Sequence, residues 1–497
     1  MAKTAWQSDL PVHIDRSSDT TLSRQIYGEI ARGVLDGHLL PGSRLPSARR
    51  LSIELGVARN TVNVAYDQLV AEGYIERVVG SGSRVTKGVR AQPASPSQGT
   101  ATRERRPQVS RRGLRLTDAT LAIGASETHA ESIGNPALDA FPTTLWRRLM
   151  TRQLERLSAS ELGYGAPRGY APLCAAIAEY LARTRRLTVS SDRIIVVGGA
   201  QQAYDLMARL LLDAGDVVLF EEPGYPGARA AFLAAGATLR PVMVDGEGAN
   251  VESLRSRRRM ARMAYTTPAH QFPLGPTLSL SRRLALLEWA EAVNAWILED
   301  DYDGEFRYAG NPISALASLD RNGRVIYVGT FSKLLFPALR IGFVVVPSSL
   351  AARASSARGF MDRHCPVLEQ ATLAAFMEEG HLARHTTRMR SIYAERRAAA
   401  LRAFHDHAGD IFELSVPETG VHLVARFQKR RDDRAAAAAV RACGLAAMPL
   451  SSYYIGTPRA SGLLVSFANL VNADAVICRV AKAVRGSTAK SPAPMPT

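Results

Sequence analysis

Five short apolar runs, often rich in β-branched residues, limit most strongly how this chain can fold. They lie at Ile194–Val197, Val217–Phe220, Ala295–Leu298, Val325–Val328 and Phe343–Val346, with helical stretches between them. Continuous apolar runs separated by helices are typical of strands that are buried on both faces. The pattern therefore predicts an α/β domain, beginning near residue 119 and ending near 485, whose mainly parallel sheet is covered by helices on both sides. A smaller α/β subdomain is expected at its C-terminal end.

The chain is also longer than this α/β domain alone would require. At 497 residues we expect two or three domains, and an apolar fraction of 46% with 22% charged residues is ordinary for a soluble globular protein. No apolar run approaches the roughly 18 residues that span a bilayer, and the first residues do not resemble a signal peptide. The four cysteines are widely spaced, which predicts free core thiols in a reducing cytoplasm.

The charge of the chain points to a polyanionic partner. The formal net charge is +16, and residues 89–115 hold seven arginines and a single acidic residue, Glu104. Pro93, Ser95 and Gly99 make a poor core, so residues 88–118 are predicted to be a basic flexible linker. Such a segment is either a merely solvated tether or one that also touches phosphates, and both interpretations stay open.

Residues 20–87 have the pattern of a small helical domain. Leu22, Ile26, Ile30 and Val34 recur at helical spacing, and Gly37 ends the predicted helix. Ser47 is a good N-cap for a second helix, which is predicted to end near Leu55, and a third is predicted from Arg59 to about Glu72. Two helices joined by a short turn that contains glycine are the helix-turn-helix arrangement. Two strands joined by a Gly80-Ser81-Gly82 turn would then form a wing.

This segment closely resembles the winged-helix reader of the GntR regulator family. The matching residues are Pro41-Gly42-Ser43-Arg44-Leu45-Pro46-Ser47, Leu55-Gly56-Val57, Arg59-Asn60-Thr61-Val62, Ala71-Glu72-Gly73-Tyr74 and Gly80-Ser81-Gly82. The resemblance implies double-stranded DNA as a partner, with the third helix in the major groove. It implies DNA contacts from Arg44, Ser47, Arg49, Arg59, Thr61 and Gly82. Ala58 stands where the family usually has serine.

Polar residues cluster where the predicted strands of the larger domain end, which is where such folds hold their ligands. The first strand leads into Gly198-Gly199-Ala200-Gln201, a small-residue turn before a helix that suits a phosphate, although such turns often serve backbone geometry alone. A later turn, Glu221–Gly227, would present Tyr225, which is equally compatible with a core tyrosine. Carboxylates gather at Glu299–Asp303 and need a cationic group or a metal to offset their burial.

Lys333 is the only lysine between Lys87 and Lys429, in a chain that has 62 lysines and arginines in total. It follows the fourth predicted strand within Thr330-Phe331-Ser332-Lys333, and Arg340 lies seven residues later. Arginine replaces lysine well as a charge, but only lysine offers a primary amine that condenses with an aldehyde. An aldehyde-reactive amine, a phosphate cradle, an aromatic plate and a carboxylate for a ring nitrogen are together what pyridoxal 5′-phosphate needs.

The larger domain resembles the fold-type I aminotransferases, also through Leu162-Gly163-Tyr164-Gly165, through Thr267–Gly275 and through Gly380-His381. A GntR reader joined to such a domain is the arrangement of the MocR family, with its PdxR, TauR and GabR types. The resemblance implies that Lys333 forms a Schiff base with the cofactor, that Asp300 pairs with the pyridine nitrogen and that Tyr302 binds the phenolic oxygen. It implies stacking by Tyr225 and phosphate contacts from Ala200, Gln201, Thr330, Ser332 and Arg340.

One departure from the resemblance bears on function. Fold-type I aminotransferases have an arginine near the C-terminus that binds the substrate carboxylate, and here Leu463 or Leu464 takes that place. Arg459 is a possible substitute that the sequence does not locate. The loss favours a transcriptional regulator that senses the cofactor or an amine over a working aminotransferase with an autoregulatory DNA-binding domain, and we keep the enzyme as the alternative.

The family resemblance further implies a head-to-tail homodimer that binds paired half-sites. The His381/His385 pair has a zinc-like spacing but lacks the glutamate of a zincin, so no metal site is predicted there.

Overall fold

The computed structural model describes residues 12–78, 82–88, 109–123, 133–252, 261–308, 310 and 313–486. The chain divides into two compact units, Met1–Pro107 and Gln108–Thr497. The boundary falls inside the segment predicted to be a linker. The last part of that segment is helical, however, because residues from 111 onward begin α4 (Arg111–Ile123).

The first unit is a winged helix, as the sequence predicts. Its helices are α1 (Leu22–Leu35), α2 (Ala48–Leu55) and α3 (Arg59–Ala71), and β1 (Ile75–Val78) pairs antiparallel with β2 (Gly82–Val85). The apolar faces of the three helices meet in one core that includes Ile26, Ile30, Leu51, Val62 and Leu69. Residues 79–81, which hold most of the predicted wing turn, lie outside the described residues.

Local sequence explains where α2 begins and ends. The Ser47 hydroxyl accepts a hydrogen bond of 3.3 Å from the Arg50 backbone N–H, which satisfies one of the free amides at the helix start. Gly56 ends the helix in the left-handed conformation at φ 62°, which glycine adopts without steric cost. The turn to α3 is therefore short, as the helix-turn-helix arrangement requires.

The second unit is built on an eight-stranded sheet. Its strands are β3 (Ile194–Val197), β4 (Val217–Glu222), β5 (Thr238–Asp245), β6 (Gly248–Ala249), β7 (Ala261–Thr266), β8 (Trp296–Asp301), β9 (Val325–Thr330) and β10 (Gly342–Val345). They lie in the order β3-β10-β9-β8-β7-β4-β5-β6. The pairs from β9 to β5 are parallel, whereas β10 runs antiparallel to both neighbours and β6 antiparallel to β5. This confirms the predicted α/β fold with a mainly parallel sheet.

Helices cover both faces of this sheet. Alternate residues of β3 pack into different cores, since Ile194 and Val196 join one apolar cluster while Ile195 and Val197 join another. The helices of the domain up to the C-terminal subdomain are α5 (Thr143–Arg156), α6 (Ala171–Arg185), α7 (Ala200–Leu211), α8 (Pro226–Ala234), α9 (Leu280–Ala292), α10 (Ser348–Asp362) and α11 (Val367–Glu378).

A smaller α/β subdomain follows, as predicted. The long helix α12 (His381–Ala408) leads into a four-stranded antiparallel sheet of β11 (Phe412–Ser415), β12 (His422–Phe427), β14 (Gly462–Ser466) and β13 (Ala447–Pro449), in that order. The helices α13 (Asp433–Ala442) and α14 (Ala473–Gly486) complete it. Cys174 and Cys365 are buried, Cys443 and Cys478 are half-buried, and all four are free thiols.

Candidate functional site

Lys333 lies in the loop that follows β9, at the carboxyl edge of the large sheet. Its side chain is half-buried, and Nζ donates a hydrogen bond of 2.7 Å to the Gly134 carbonyl. The carbonyl of the next residue, Leu334, accepts a hydrogen bond of 2.9 Å from His385 Nε2. Burial lowers the pKa of His385 below its usual value. His385 thus secures the Lys333 loop to α12.

Asp300, near the end of β8, carries the clearest sign of a missing partner. Its Oδ2 atom accepts hydrogen bonds of 2.6 Å from both the Tyr204 and the Tyr265 hydroxyl groups. Its Oδ1 atom is buried and has no hydrogen-bond partner among the described residues. Burial raises the pKa of this carboxyl to about 6, although the two tyrosine hydrogen bonds oppose the rise. A buried acceptor without a donor is costly, so the site is built for a donor that the chain does not supply.

Tyr302 lies two residues beyond Asp300, and its hydroxyl is 2.9 Å from His270 Nδ1. The same nitrogen is 2.8 Å from Asp303 Oδ1. Burial, with Asp303 and Asp300 nearby, raises the pKa of Tyr302 well above its usual value, so the phenol keeps its proton at neutral pH. The His270 ring stacks on His422, with ring centroids 4.9 Å apart.

His422 interacts with His270 and Tyr302 and also with Lys333. Burial lowers the pKa of His422 well below its usual value, and the neighbouring His270 and the charge of Lys333 lower it further. The His422 ring also stacks on Tyr302 at 6.4 Å. Tyr302, His270, His422 and Lys333 therefore line one site, although they come from three strand ends and the subdomain.

Arg340 and the first turn of α7 meet near the end of β9 and form a corner that suits an anion. Gly199, at φ 101°, precedes α7, and a β-carbon there would lie 3.1 Å from Arg340 Nη2. Thr330 pairs with Gly342 across β9 and β10, and a β-carbon on Gly342 would lie 3.1 Å from Gly199 Cα. Thr330, Arg340 and the start of α7 thus converge, and such a helix start attracts anions.

The remaining residues predicted to bind phosphate lie at the same corner. The Thr330 hydroxyl donates to the Ser332 hydroxyl at 3.1 Å and accepts from the Ser332 backbone N–H at 3.2 Å. Gln201 follows Ala200 in the first turn of α7, but its side-chain amide donates to the Gly227 carbonyl at 3.0 Å. The side chain of Gln201 therefore ties α7 to α8, and its backbone N–H, in the first turn of α7, would be its group available to an anion.

Tyr225 immediately precedes α8, and its half-buried ring lies among aromatic neighbours. The ring centroid is 5.4 Å from that of Phe272 and 6.1 Å from that of Tyr204. Tyr204 therefore contacts the Tyr225 ring and also donates to Asp300 Oδ2.

The structure distinguishes the two leucines that replace the expected arginine. Successive residues of β14 face opposite sides, and Leu463 joins the main core while Leu464 packs with Val424 and Tyr453. Phe272 lies against the cluster of Leu464, and its ring also contacts that of Tyr302 at 5.6 Å. Leu464 is therefore the leucine on the side of the site. Arg459 is exposed, and its charge opposes the rise that burial causes in the pKa of Tyr454.

Glu299 and Asp301 of the Glu299–Asp303 run have structural partners, whereas Asp303 Oδ2 is, like Asp300 Oδ1, buried without a hydrogen-bond partner among the described residues. Glu299 accepts hydrogen bonds from the backbone N–H groups of Leu316 and Ala317, at 2.7 and 2.8 Å. Burial opposes the ionisation of Asp301, but its buried ion pair with Arg185 outweighs this and leaves its pKa below the usual value. Within the described part of the chain, no group of histidines, cysteines and acidic residues is arranged to hold a metal ion.

Taken together, these residues fit pyridoxal phosphate. Asp300 Oδ1 would meet the proton of the pyridine nitrogen, Lys333 the aldehyde, and the corner of Arg340, Thr330 and α7 the phosphate. Tyr204, Tyr265, His270, Asp303 and His422 are site residues that the sequence did not single out. His270 belongs to the Thr267–Gly275 motif and Asp303 to the Glu299–Asp303 run, which were the available signals for these two.

The residues predicted to touch DNA lie on the first unit. Arg44 and Gly82 are neighbours, since a β-carbon on Gly82 would lie 3.6 Å from Arg44 Nε. Arg49 and Arg59 are exposed in the first turns of α2 and α3, and Thr61 is half-buried. Ala58 precedes α3 without any side-chain cap, as its departure from the family serine implies.

Comparison with known proteins agrees with both units. Residues 22–85 match the bacterial regulatory proteins of the gntR family, and residues 132–475 match aminotransferase class I and II. The probable rhizopine catabolism regulatory protein MocR of Rhizobium meliloti is 38% identical over 457 residues, which cover 92% of each chain. The pyridoxine biosynthesis regulator PdxR of Corynebacterium glutamicum is 31% identical over 463 residues, covering 93% of this chain and 95% of that one.

A solved structure supports the same fold. The kynurenine aminotransferase of Pyrococcus horikoshii, determined in complex with PMP, is 28% identical and superimposes with a TM-score of 0.66 over 78% of this chain and 96% of that one. In the described residues, no helix is long and apolar enough to cross a membrane. The chain belongs to the MocR family of transcriptional regulators, in which a GntR-type winged helix is joined to an aminotransferase class I and II domain.

Proposed function

We propose that this regulator binds pyridoxal 5′-phosphate at Lys333 and that its affinity for operator DNA changes when the cofactor, or an amine that reacts with it, occupies the site. The observation that carries the proposal is Asp300 Oδ1, a buried acceptor without a partner among the described residues, in the same site as Lys333. The cofactor supplies an aldehyde, which joins the Lys333 amine with loss of one water and can be passed on to a free amine.

The residues of the chain would each hold one part of the ligand. Asp300 binds the ring nitrogen, Tyr302 the phenolic oxygen and Tyr225 one face of the ring. Ala200, Gln201, Thr330, Ser332 and Arg340 hold the phosphate through hydroxyls, a guanidinium and helix amides. Because separate groups of residues would hold the ring and the phosphate of the cofactor, its aldehyde would be fixed near Lys333.

A route from this site toward the DNA reader is present within the second unit. Helix α8 begins directly after Tyr225, and α4, the first helix after the boundary between the units, packs against α8. A β-carbon on Gly236, just beyond α8, would lie 3.2 Å from Arg115 of α4. A ligand that moves Tyr225 therefore acts on the helix that α4 contacts, which can bias two states of the chain if it binds them unequally.

The apolar character of Leu464 favours a sensor over an efficient aminotransferase. An α-amino acid would meet leucine where an aminotransferase offers a guanidinium fork, so its carboxylate would lose a charged partner. The regulator is thus expected to respond to the cofactor itself or to an amine. Steady-state assays with amines and keto acids test this, because sustained turnover would support the enzymatic alternative.

We also propose that the protein acts as a head-to-tail homodimer on paired half-sites. Tyr164 and Phe360 are 85% and 93% exposed, and large exposed apolar side chains often mark interaction surfaces. They share one region, because the Gly165 N–H donates to His364 Nε2 at 3.0 Å. Light scattering is expected to give twice the chain mass.

The direct test is DNA binding with and without cofactor. Full-length protein is titrated against the DNA upstream of its own gene by fluorescence anisotropy, with and without pyridoxal phosphate. We expect the dissociation constant to change by about fivefold or more, a typical allosteric coupling. Lys333→Ala should remove the change while leaving basal DNA binding intact. Equal affinities with and without cofactor would contradict the proposal.

A further inference from the structure

Two buried side chains, Asp303 and His270, lead by direct contacts to the half-buried Tyr302, whose hydroxyl is predicted to touch the cofactor. Asp303 Oδ1 lies 2.8 Å from His270 Nδ1, and His270 Nδ1 lies 2.9 Å from the Tyr302 hydroxyl. Asp303 and His270 are each 1% exposed. His270 follows β7 and Asp303 follows β8, so the pair forms where two adjacent parallel strands end.

The hydrogen bonds restrict which atom carries each proton. A carboxylate only accepts, so its contact with His270 Nδ1 requires the histidine proton on that nitrogen. A protonated Nδ1 cannot accept a hydrogen bond from Tyr302. Among the described residues His270 Nδ1 is the only hydrogen-bond partner of the Tyr302 hydroxyl. The single Nδ1 proton is then shared between Asp303 Oδ1 and the Tyr302 oxygen, and the Tyr302 hydroxyl directs its own proton elsewhere.

We propose that Asp303 and His270 are positioning residues that fix the histidine tautomer and so turn the Tyr302 proton toward the phenolic oxygen of the bound cofactor. The inference rests on the proposed binding of pyridoxal phosphate. Neither residue would touch the cofactor, and both act through Tyr302. A buried carboxylate that sets a histidine tautomer is a recurrent means of directing a proton.

Packing around the pair shows that its position is narrowly defined. A β-carbon on Gly420 would lie 2.3 Å from His270 Cε1 and 2.5 Å from Asp303 Oδ2, and Gly420 has φ 88°. His422 stacks on the opposite side, and its ring plane is tilted by 27° from that of His270. Besides Tyr302, the titratable groups that contact His270 among the described residues are Asp303 from the large domain and His422 from the subdomain, and the charge of Lys333 acts on His422.

The visible chromophore of the full-length protein loaded with pyridoxal phosphate reports on this arrangement. The deprotonated chromophore has the least compensated negative charge on its phenolic oxygen. A Tyr302 proton directed at that oxygen stabilises the deprotonated form and therefore lowers the chromophore pKa. Asp303→Asn can donate to Nδ1, which moves the histidine proton to Nε2 and turns the Tyr302 proton away. We expect the chromophore pKa to rise by about one pH unit, a tenfold change in equilibrium.

Matched variants separate positioning from general damage. His270→Phe keeps the ring stacking but removes both nitrogens, so the Tyr302 proton is neither directed nor drawn away, and the chromophore pKa should rise by less than in Asp303→Asn. His270→Asn supplies an amide N–H near the position of Nδ1 and should restore the wild-type value. Tyr302→Phe should raise the chromophore pKa at least as much. Adding Asp303→Asn to Tyr302→Phe should not change the chromophore pKa further, because Asp303 acts only through the Tyr302 hydroxyl, which is already absent.

The outcomes distinguish this inference from the proposed function. If the wild-type protein gains no chromophore with pyridoxal phosphate, the proposed function fails and this inference fails with it. If the wild type is coloured but the chromophore pKa of Asp303→Asn and His270→Phe equals that of the wild type, only the positioning role is overturned. The same holds if the effects of these variants on the chromophore pKa add fully to that of Tyr302→Phe. If Asp303→Asn proves unfolded by circular dichroism, the contrast between His270→Phe and His270→Asn decides.

Discussion

The Tyr265 hydroxyl donates a 2.6 Å hydrogen bond to Asp300 Oδ2, whereas Asp300 Oδ1 lies buried without a partner among the described residues. The fold therefore supplies hydrogen-bond donors for Oδ2, whereas Oδ1 can accept a hydrogen bond from a ligand. Burial raises the pKa of Asp300 to about 6. This arrangement costs the unliganded protein stability and gives it a specific partner for a protonated ring nitrogen.

Asp300→Asn should stabilise the unliganded protein and weaken cofactor binding. A carboxyl whose folded pKa is raised from 3.8 to about 6 costs stability above pH 6, by about 3 kcal/mol at most. The cost falls as pH drops from 6 to 4, because the folded carboxyl gains its proton first. Thermal melting of apo wild type and variant should thus differ at pH 7.5 and converge at pH 4. Cofactor titration at pH 7.5 should show at least tenfold weaker binding to the variant, and unchanged binding would contradict this role.

Gly199→Ala should disturb the phosphate corner. The new methyl would lie 3.1 Å from Arg340 Nη2, and the φ of 101° is strained for any residue with a β-carbon. We expect at least tenfold weaker binding of pyridoxal phosphate, measured by isothermal titration calorimetry. Gly215→Ala is the matched control, because Gly215 has φ 97° but nothing within 4 Å of its β-carbon position. Equal losses in both variants would mean that strain alone, and not displacement of Arg340, causes the effect.

Much of the candidate site could be predicted from sequence, because its residues follow recognisable strand ends. Lys333 stood out as a lone lysine, Asp300 as part of an acidic run, and Arg340 by its position seven residues after Lys333, and their roles toward the cofactor stay predictions. The apolar runs predicted β4, β8 and β9 of the parallel strands and also β3 and β10, which pair antiparallel. The strands β5 and β7 were missed because Arg240 with Pro241, and Arg262, interrupt their apolar character.

The partners of those residues could not be predicted. Tyr204 and Tyr265 reach Asp300 from α7 and β7, at sequence separations of 96 and 35 residues. No local pattern encodes such a contact, since it depends on which strands are neighbours in the sheet. The same holds for His422, which reaches the site from the subdomain, and for the choice of Leu464 over Leu463.

Leu464→Arg should give the site affinity for α-amino acids. Leu464 packs in the cluster that Phe272 borders, so a guanidinium there can reach a ligand carboxylate beside the Tyr302 ring. Titrations followed by the chromophore spectrum should show that the preference for an α-amino acid over the matching primary amine rises at least tenfold. Leu464→Met controls for the packing change. An unchanged ratio would show that the arginine cannot reach the ligand and that Leu464 does not set specificity.

Arg49→Ala should weaken DNA binding more than Arg50→Ala. Arg49 is exposed in the first turn of α2, whereas the neighbouring Arg50 forms an ion pair of 2.6 Å with Glu54. If Arg49 neutralises one phosphate, its loss should lower the salt dependence, the slope of log K against log salt, by about one. Anisotropy titrations at several salt concentrations provide both slopes. Equal slopes for Arg49→Ala and wild type would remove Arg49 from the DNA contacts.

The most direct test of the account is to locate the covalent bond between pyridoxal phosphate and the chain. The full-length protein is incubated with the cofactor, reduced with borohydride and digested, and the labelled peptide is identified by mass spectrometry, beside Lys333→Arg and Lys429→Arg. We predict that the wild type and Lys429→Arg carry one phosphopyridoxyl group on Lys333, and that Lys333→Arg carries none. A wild type that stays colourless and unlabelled, or label on another lysine, would contradict the account.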